Sequence, residues 1–276
     1  MKHRVGFLLL FLAGMYAFVS LVNRREKTRT YSLATETIRV DSLDQISLLD
    51  GELVKPILYT NVTGLSRLPV SQSKKKFIAA VLPAILIAKH QIETTRTKIY
   101  ALRERTDWNA EDSAFYSGVR ARYKAKDIND LIDRIGTLPN SIVLSQAAVE
   151  SGWGQSRFFL EGNNVFGVWS FNANDPRMPS KRGRKDKTVY LRTYPDIAQA
   201  VVHYFEILGT ANAYQRLRKE RLVRTDPFEL IPHLRNYSER KVAYTHQIKA
   251  MILQNELTRY DRYRLDPEYL TEDIGK

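Results

Sequence analysis

The longest periodic stretch of the chain runs from Lys74 to about Arg105, where Phe77, Val81, Leu82, Ile85, Leu86, Ile92 and Ile99 recur at helical spacing. The pattern predicts one long helix with an internal Pro83 able to kink it. Shorter helical patterns follow at 111–124, at 127–135 ahead of Gly136, and at 141–151 after the start signal Pro139-Asn140-Ser141. Between Asn163 and Tyr194 the periodicity stops. A basic run (Lys181, Arg182, Arg184, Lys185) surrounds Gly183 there, and Val189-Tyr190-Leu191-Arg192 alternates, which predicts a small hairpin inserted among helices. Asp196 opens another helix through Leu208, with Ile197, Ala200, Val201, Tyr204, Phe205 and Leu208 on one face. Shorter helices are expected at 212–221, 227–234 and 240–256. Residues 30–72 carry only short apolar pieces, Ile38–Val40 and Leu53–Leu58, between Pro and Gly breaks, and read as a loosely structured approach.

The first residues change the picture. Val5 to Val22 form an uncharged apolar run after Lys2, His3 and Arg4, near the lower length limit of a membrane span. No good small-residue cleavage site follows, which favours an uncleaved anchor. Arg24, Arg25, Lys27 and Arg29 lie beyond the run and oppose an exported body by the usual charge rule, so topology has to come from function. The expected organisation is an anchor or signal segment over 1–29, a mostly helical extension over 30–135, a catalytic domain over 136–258 and a tail over 259–276. The expected fold class is mainly α (α+β).

With 276 residues there is ample chain for one sizeable core. There is no cysteine, which excludes disulfides, thiolate metal sites and a thiol nucleophile. His203, His233 and His246 lack metal-ligand spacing, so neither metal nor cofactor is expected. The net charge of +13 suits nucleic acid, anionic lipid or the carboxylates of a bacterial wall. No nucleic-acid-binding signature accompanies it, and nucleic acid ranks last.

Chemistry concentrates at Glu150. Its helix is uncharged from Ile142 to Val149 and stops at Gly152, which places a lone carboxylate at the negative end of the helix dipole beside Trp153. That setting disfavours the charged form and suits a proton donor. A helix-terminal glutamate is more often simply solvated, so the surrounding residues decide. Glu150-Ser151-Gly152-Trp153-Gly154-Gln155-Ser156 followed by Gly162-Asn163-Asn164-Val165-Phe166-Gly167-Val168 resembles the bacterial endo-β-N-acetylglucosaminidases of glycoside hydrolase family 73, which include flagellar-type muramidases. The similarity extends from about Leu138 to Met251, through Leu191-Arg192-Thr193-Tyr194 and Asn236-Tyr237-Ser238.

The resemblance implies a lysozyme-like helical domain with a small hairpin lobe, acting on peptidoglycan glycan strands with Glu150 as general acid. It implies a place at the periplasmic face of the inner membrane, or in the periplasm after cleavage, with membrane lipid as a partner of the first residues. Asn164, Phe166 and Gly167 are expected beside the cleft. Trp169, Tyr194 and Tyr237 are candidates for sugar contact, because aromatic faces pack on apolar sugar faces; each is otherwise a core residue. Tyr237 is the stronger functional candidate and Phe166 the more structural one. Glycosidases use two carboxylates, and family members place a glutamate in the hairpin lobe. Here the acids between Asn174 and Asp196 are Asp175, before Pro176, and Asp186, among basic neighbours. Both stand as candidates for the second catalytic position. Two alternatives remain. One is a lytic transglycosylase, although Asn163-Asn164-Val165-Phe166-Gly167 stands where those enzymes carry Gly-Leu-Met-Gln. The other is a non-catalytic wall-binding scaffold.

Overall fold

The computed structural model describes residues 31–181 and 188–272. The expected anchor at Val5 to Val22 and the candidate Asp186 lie outside the described residues.

The centre is helix α1, Val70–Arg103, in which every residue from Phe77 to Ala88 is buried. An all-apolar circumference needs cover on every side, and α1 is accordingly surrounded rather than laid on a surface. Its apolar window satisfies the length and composition of a membrane span, but 72% of that window is buried within the fold. Helices α2 (Ala110–Tyr123), α3 (Ile128–Arg134), α4 (Asn140–Ser151) and the short α5 (Arg157–Gly162) follow, then α6 (Ile197–Thr210), α7 (Gln215–Glu220), α8 (Pro227–Leu230) and α9 (Val242–Gln254). Helix α6 lies along α1 with Ile197, Ala200, Val201, Tyr204, Phe205 and Leu208 buried, the face its periodicity predicted. The mainly helical fold with a small β lobe agrees with the expected class. Helix α5 was not foreseen; at six residues it is too short for a periodic signal.

Residues 31–69 are more ordered than their sequence suggests. Strand β2 (Glu36–Arg39) pairs in parallel with β4 (Ile57–Thr60). The remaining pairings join opposite ends of the chain. Strand β1 (Tyr31–Leu33) runs antiparallel to β9 (Leu270–Glu272), with Tyr31 opposite Glu272, while β3 (Leu53–Val54) runs parallel to β8 (Arg264–Leu265). Core residues of the N-terminal segments, such as Val40, Val54, Leu65 and Ile85, belong to the same apolar cluster as Ala147, Phe205 and Ile248, and no break in packing occurs at 135–136.

Buried and half-buried arginines hold the helix ends. Arg134 hydrogen-bonds the carbonyls of Tyr123, Gly209 and Thr210 while paired with Asp130 at 2.9 Å. Arg218 donates to Leu208 and Ala211, and Arg221 to Asp133, Arg134 and Gly136. A guanidinium carries five donors in a fixed fork, so a single side chain satisfies several carbonyls left over where a helix stops. Gly209 lets α6 approach α3: a Cβ there would stand 2.6 Å from the Arg134 carbonyl oxygen.

Candidate active site

Helix α4 is fixed at both ends. At its start, where backbone N–H groups lack partners, Asp261 accepts from the Ser141 amide at 2.7 Å and from its hydroxyl at 2.8 Å. The neighbouring Asn140 donates to the carbonyls of Tyr260 and Tyr263. At its end Gly152, Trp153 and Gly154 all have positive φ, a turn that two glycines make accessible. Ser151 is buried and ties this turn, donating to the Ala147 carbonyl and accepting from the Gly154 amide at 2.9 Å. A Cβ at Gly154 would stand 2.9 Å from both Leu65 and Phe77, so the turn is also a packing site against α1. Trp153 turns the same way, edge-on to Phe77 at 5.5 Å with the Lys74 ammonium 4.9 Å from its ring. It faces the N-terminal helix and does not line the cleft.

Glu150 faces a cleft of about 580 Å³ between the end of α4, the segment Phe166–Asn172, Arg192 and the inner face of α6. Burial pushes the Glu150 carboxyl above its usual pKa; a hydrogen bond from Tyr244 and the charge of Arg240 act the other way without cancelling it. Gly167, at φ 65°, passes beside the carboxylate, and a Cβ there would come within 3.9 Å of Oε2.

The β lobe forms the opposite wall. It is a three-stranded antiparallel sheet, β5 (Trp169–Ser170), β7 (Tyr190–Arg192) and β6 (Arg177–Pro179), with β7 in the middle. Trp169 and Phe171 line the cleft with 43% and 88% of their surface exposed, their ring centroids 6.1 Å apart. An almost bare Phe on a cleft lip has no packing reason to be there and suits an apolar ligand face.

The expected contacts sort into two kinds. Phe166, Gly167, Trp169, Asp175 and Tyr237 line the cleft. Phe166 is buried and stacked on Tyr204 at 4.4 Å, so it is wall as well as core. Tyr237 stacks on Tyr244 and gives its hydroxyl to the Phe166 carbonyl at 3.3 Å. Asn164 and Tyr194 do not open onto the cleft. Asn164 is buried; it bridges Val168 and Arg192 with three hydrogen bonds of 2.9 Å and clamps the lobe to the end of α5. The Tyr194 hydroxyl is 2.7 Å from His203 Nδ1.

Asp175 is engaged on both oxygens, by Arg192 at 3.1 Å and by the Ser170 hydroxyl at 3.1 Å. Arg192 also donates to His203 Nε2 at 3.2 Å. A guanidinium only donates, so Nε2 must carry the lone pair and Nδ1 the proton, which goes to Tyr194. Burial first, then the charge of Arg192, hold the His203 pKa down to about 4, and the ring is neutral near pH 7. Arg192, His203, Phe171 and Tyr244 were not foreseen as site residues. The exposed Phe next to Trp169 was legible as a paired aromatic; the others are assembled only by tertiary contact.

A second cavity of about 620 Å³ lies between α1 and residues 221–230. Its cations are committed elsewhere, Arg221 to backbone carbonyls and Arg224 to Glu220 and Glu229. No group of three or more metal-ligating side chains occurs among the described residues.

Helix-end carboxyl, raised pKa and open sugar-sized cleft are the parts of a glycoside hydrolase, and comparison with known proteins agrees: residues 125–257 match the glucosaminidase family model, described as mannosyl-glycoprotein endo-beta-N-acetylglucosaminidase. Among individual proteins, the chain is similar to protein Bax of Escherichia coli (strain K12), 27% identical in an alignment 198 positions long that covers 66% of this chain and 70% of that protein. The catalytic domain of the autolysin Auto from Listeria monocytogenes is similar at TM-score 0.38 and 18% identity, over 58% of this chain and 93% of that one. The glycoside hydrolase domain of FlgJ from Salmonella typhimurium is similar at TM-score 0.36 and 24% identity, over 44% of this chain and 77% of that one.

Proposed function

We propose that this protein is a peptidoglycan hydrolase that cleaves N-acetylglucosaminyl bonds of the glycan strand, with Glu150 as the general acid. The observation that carries the reading is the Glu150 carboxyl itself, raised in pKa by burial yet opening onto a cleft faced by Trp169 and Phe171. In the reaction the Glu150 proton passes to the glycosidic oxygen as the bond to C1 breaks. Water then supplies hydroxyl to C1, and its remaining proton restores the acid. A sugar ring seated on the exposed aromatics would present its bond to Glu150, whose protonated form is favoured by burial.

Asp175, gripped by Arg192 and Ser170, suits bracing the lobe and accepting a sugar hydroxyl better than taking a proton from water. Asp186 remains the other candidate for the second carboxylate, and Asp186→Asn measures its share. The deciding experiment digests purified peptidoglycan with the native protein and with Glu150→Gln. Reducing-end N-acetylglucosamine, lost in the variant, supports the reading. Anhydro-muropeptides would mark a transglycosylase instead, and binding without cleavage by both forms would mark a scaffold.

The apolar run Val5 to Val22 supports placing the enzyme at the periplasmic face of the inner membrane, in contact with lipid. Protease added to spheroplasts should digest the protein; protection would place the body on the other side.

A further inference from the structure

Gln146 lies one turn before Glu150 on α4, fully buried, with its amide between two buried phenols. Tyr204 donates its hydroxyl proton to Gln146 Oε1 at 2.6 Å, and Gln146 Nε2 donates to the Tyr244 oxygen at 2.9 Å. Tyr244 in turn stands against Glu150, near enough for its hydroxyl to favour the ionised carboxyl. A phenol has one proton. Because the Tyr244 oxygen is already accepting from an amide N–H, that proton is turned toward the carboxylate.

The opposite polarity is disfavoured. If the amide were turned over, its oxygen would face Tyr244 and take that proton, and Glu150 would meet a phenol lone pair. Tyr204 prevents this. Its ring is packed against Phe166, Phe205 and Tyr237, so a reversed amide would leave its buried O–H without an acceptor, a penalty as large as the hydrogen bond itself.

We infer that Gln146, oriented by Tyr204, is a positioning residue that holds Tyr244 as a permanent hydrogen-bond donor to Glu150; the inference rests on Glu150 being the general acid. The donor has little to do while Glu150 is protonated and most to do once the proton has gone to the glycosidic oxygen and a carboxylate is left in a dry site. Stabilisation thus grows along the proton transfer, where it lowers the barrier. Successive donors polarise one another, so the first hydroxyl strengthens the last bond.

The test uses Tyr204→Phe, which keeps the ring and its stacking, together with Gln146→Leu and Tyr244→Phe. The readouts are the pH dependence of kcat/KM on soluble glycan-strand fragments and a carbon-13 NMR titration of Glu150, identified by its absence in Glu150→Gln. Loss of the donor favours the protonated carboxyl, so the alkaline limb and the titration midpoint should both move up by about half a pH unit or more, a factor of about three in the equilibrium. In the same variants kcat should fall about 3- to 10-fold with KM unchanged, since no substrate contact is removed. Native-like titration and pH profile in folded Tyr204→Phe would overturn the inference, and this variant decides alone if Gln146→Leu does not fold. Cleavage retained in Glu150→Gln would instead remove the general-acid reading. Because the titration does not depend on turnover, the two failures are distinguishable.

Discussion

Asn164→Ala removes a side chain that never reaches the cleft, yet both the lobe and the cleft wall depend on it. The amide donates to the carbonyls of Val168 and Arg192 and accepts from the Val168 N–H, each at 2.9 Å, with about 1% of its surface exposed. The Val168 carbonyl keeps a second partner in the Arg192 N–H, but the Val168 N–H loses the acceptor seen here. Three buried bonds at about 1 kcal/mol net each predict a loss of about 3 kcal/mol. For a chain of this size that corresponds to a fall in Tm of about 6–12 °C. Calorimetry or urea unfolding reads it directly. Activity should fall by more than the population unfolded, because Gly167 and Trp169, on either side of Val168, are no longer clamped opposite Glu150. Asn164→Asp should be worse than Ala, since it keeps the acceptor but sets a carboxylate against two carbonyls. A stability change under about 0.5 kcal/mol for Asn164→Ala would refute the assignment of this residue as the clamp.

Gly209→Ala gains helix propensity of about 1 kcal/mol but sets a methyl 2.6 Å from a backbone carbonyl that cannot swing aside, so a net loss of about 2 kcal/mol is expected in urea unfolding. Burial holds Lys89 down to about pKa 8 against 10.5 when unfolded; between those values the unfolded chain binds the extra proton, so stability should rise with pH by up to about 3 kcal/mol, and Lys89→Met should flatten that slope. Phe171→Ala should raise KM on glycan fragments about fivefold with little change in Tm, since its ring is 88% exposed. Deleting residues before Lys126 should give insoluble or molten protein rather than an active domain, by circular dichroism and zymography, because α4 and α6 would lose the helix they pack on.

Local signals carried far into this fold. The face of α6, the span of α4 and the glycine turn after Glu150 all follow from residues within one or two turns of each other, so the proposed general acid stands out within a run of seven residues. The surroundings of that acid were not. Tyr244 reaches it from 94 positions downstream, Gln146 hides as one more polar residue in an apolar helix, and the buried Arg134 and Arg218 and the half-buried Arg221 read as surface charge until the carbonyls they hold are seen. Strands of two to four residues, such as β3 and β4, are too short to show alternation, which made residues 30–72 look loose. Asn164 illustrates the converse: its motif marked it as important, but only its hydrogen bonds tell that it clamps rather than contacts.

The anchoring of α4 by Asp261, 120 positions after Ser141, bears on the order of events in synthesis. The helix that carries the acid cannot be seated until the last part of the chain has arrived, and strands β8 and β9 close over the first segments later still. Contacts so distant in sequence form slowly and late. A nascent or truncated chain ending before Tyr260 would hold every residue of the cleft and still lack the support that aims Glu150. An enzyme able to open the wall would therefore be harmless until complete, and fragments ending at Gln254 should bind no glycan and show no protected amides in α4 by hydrogen exchange.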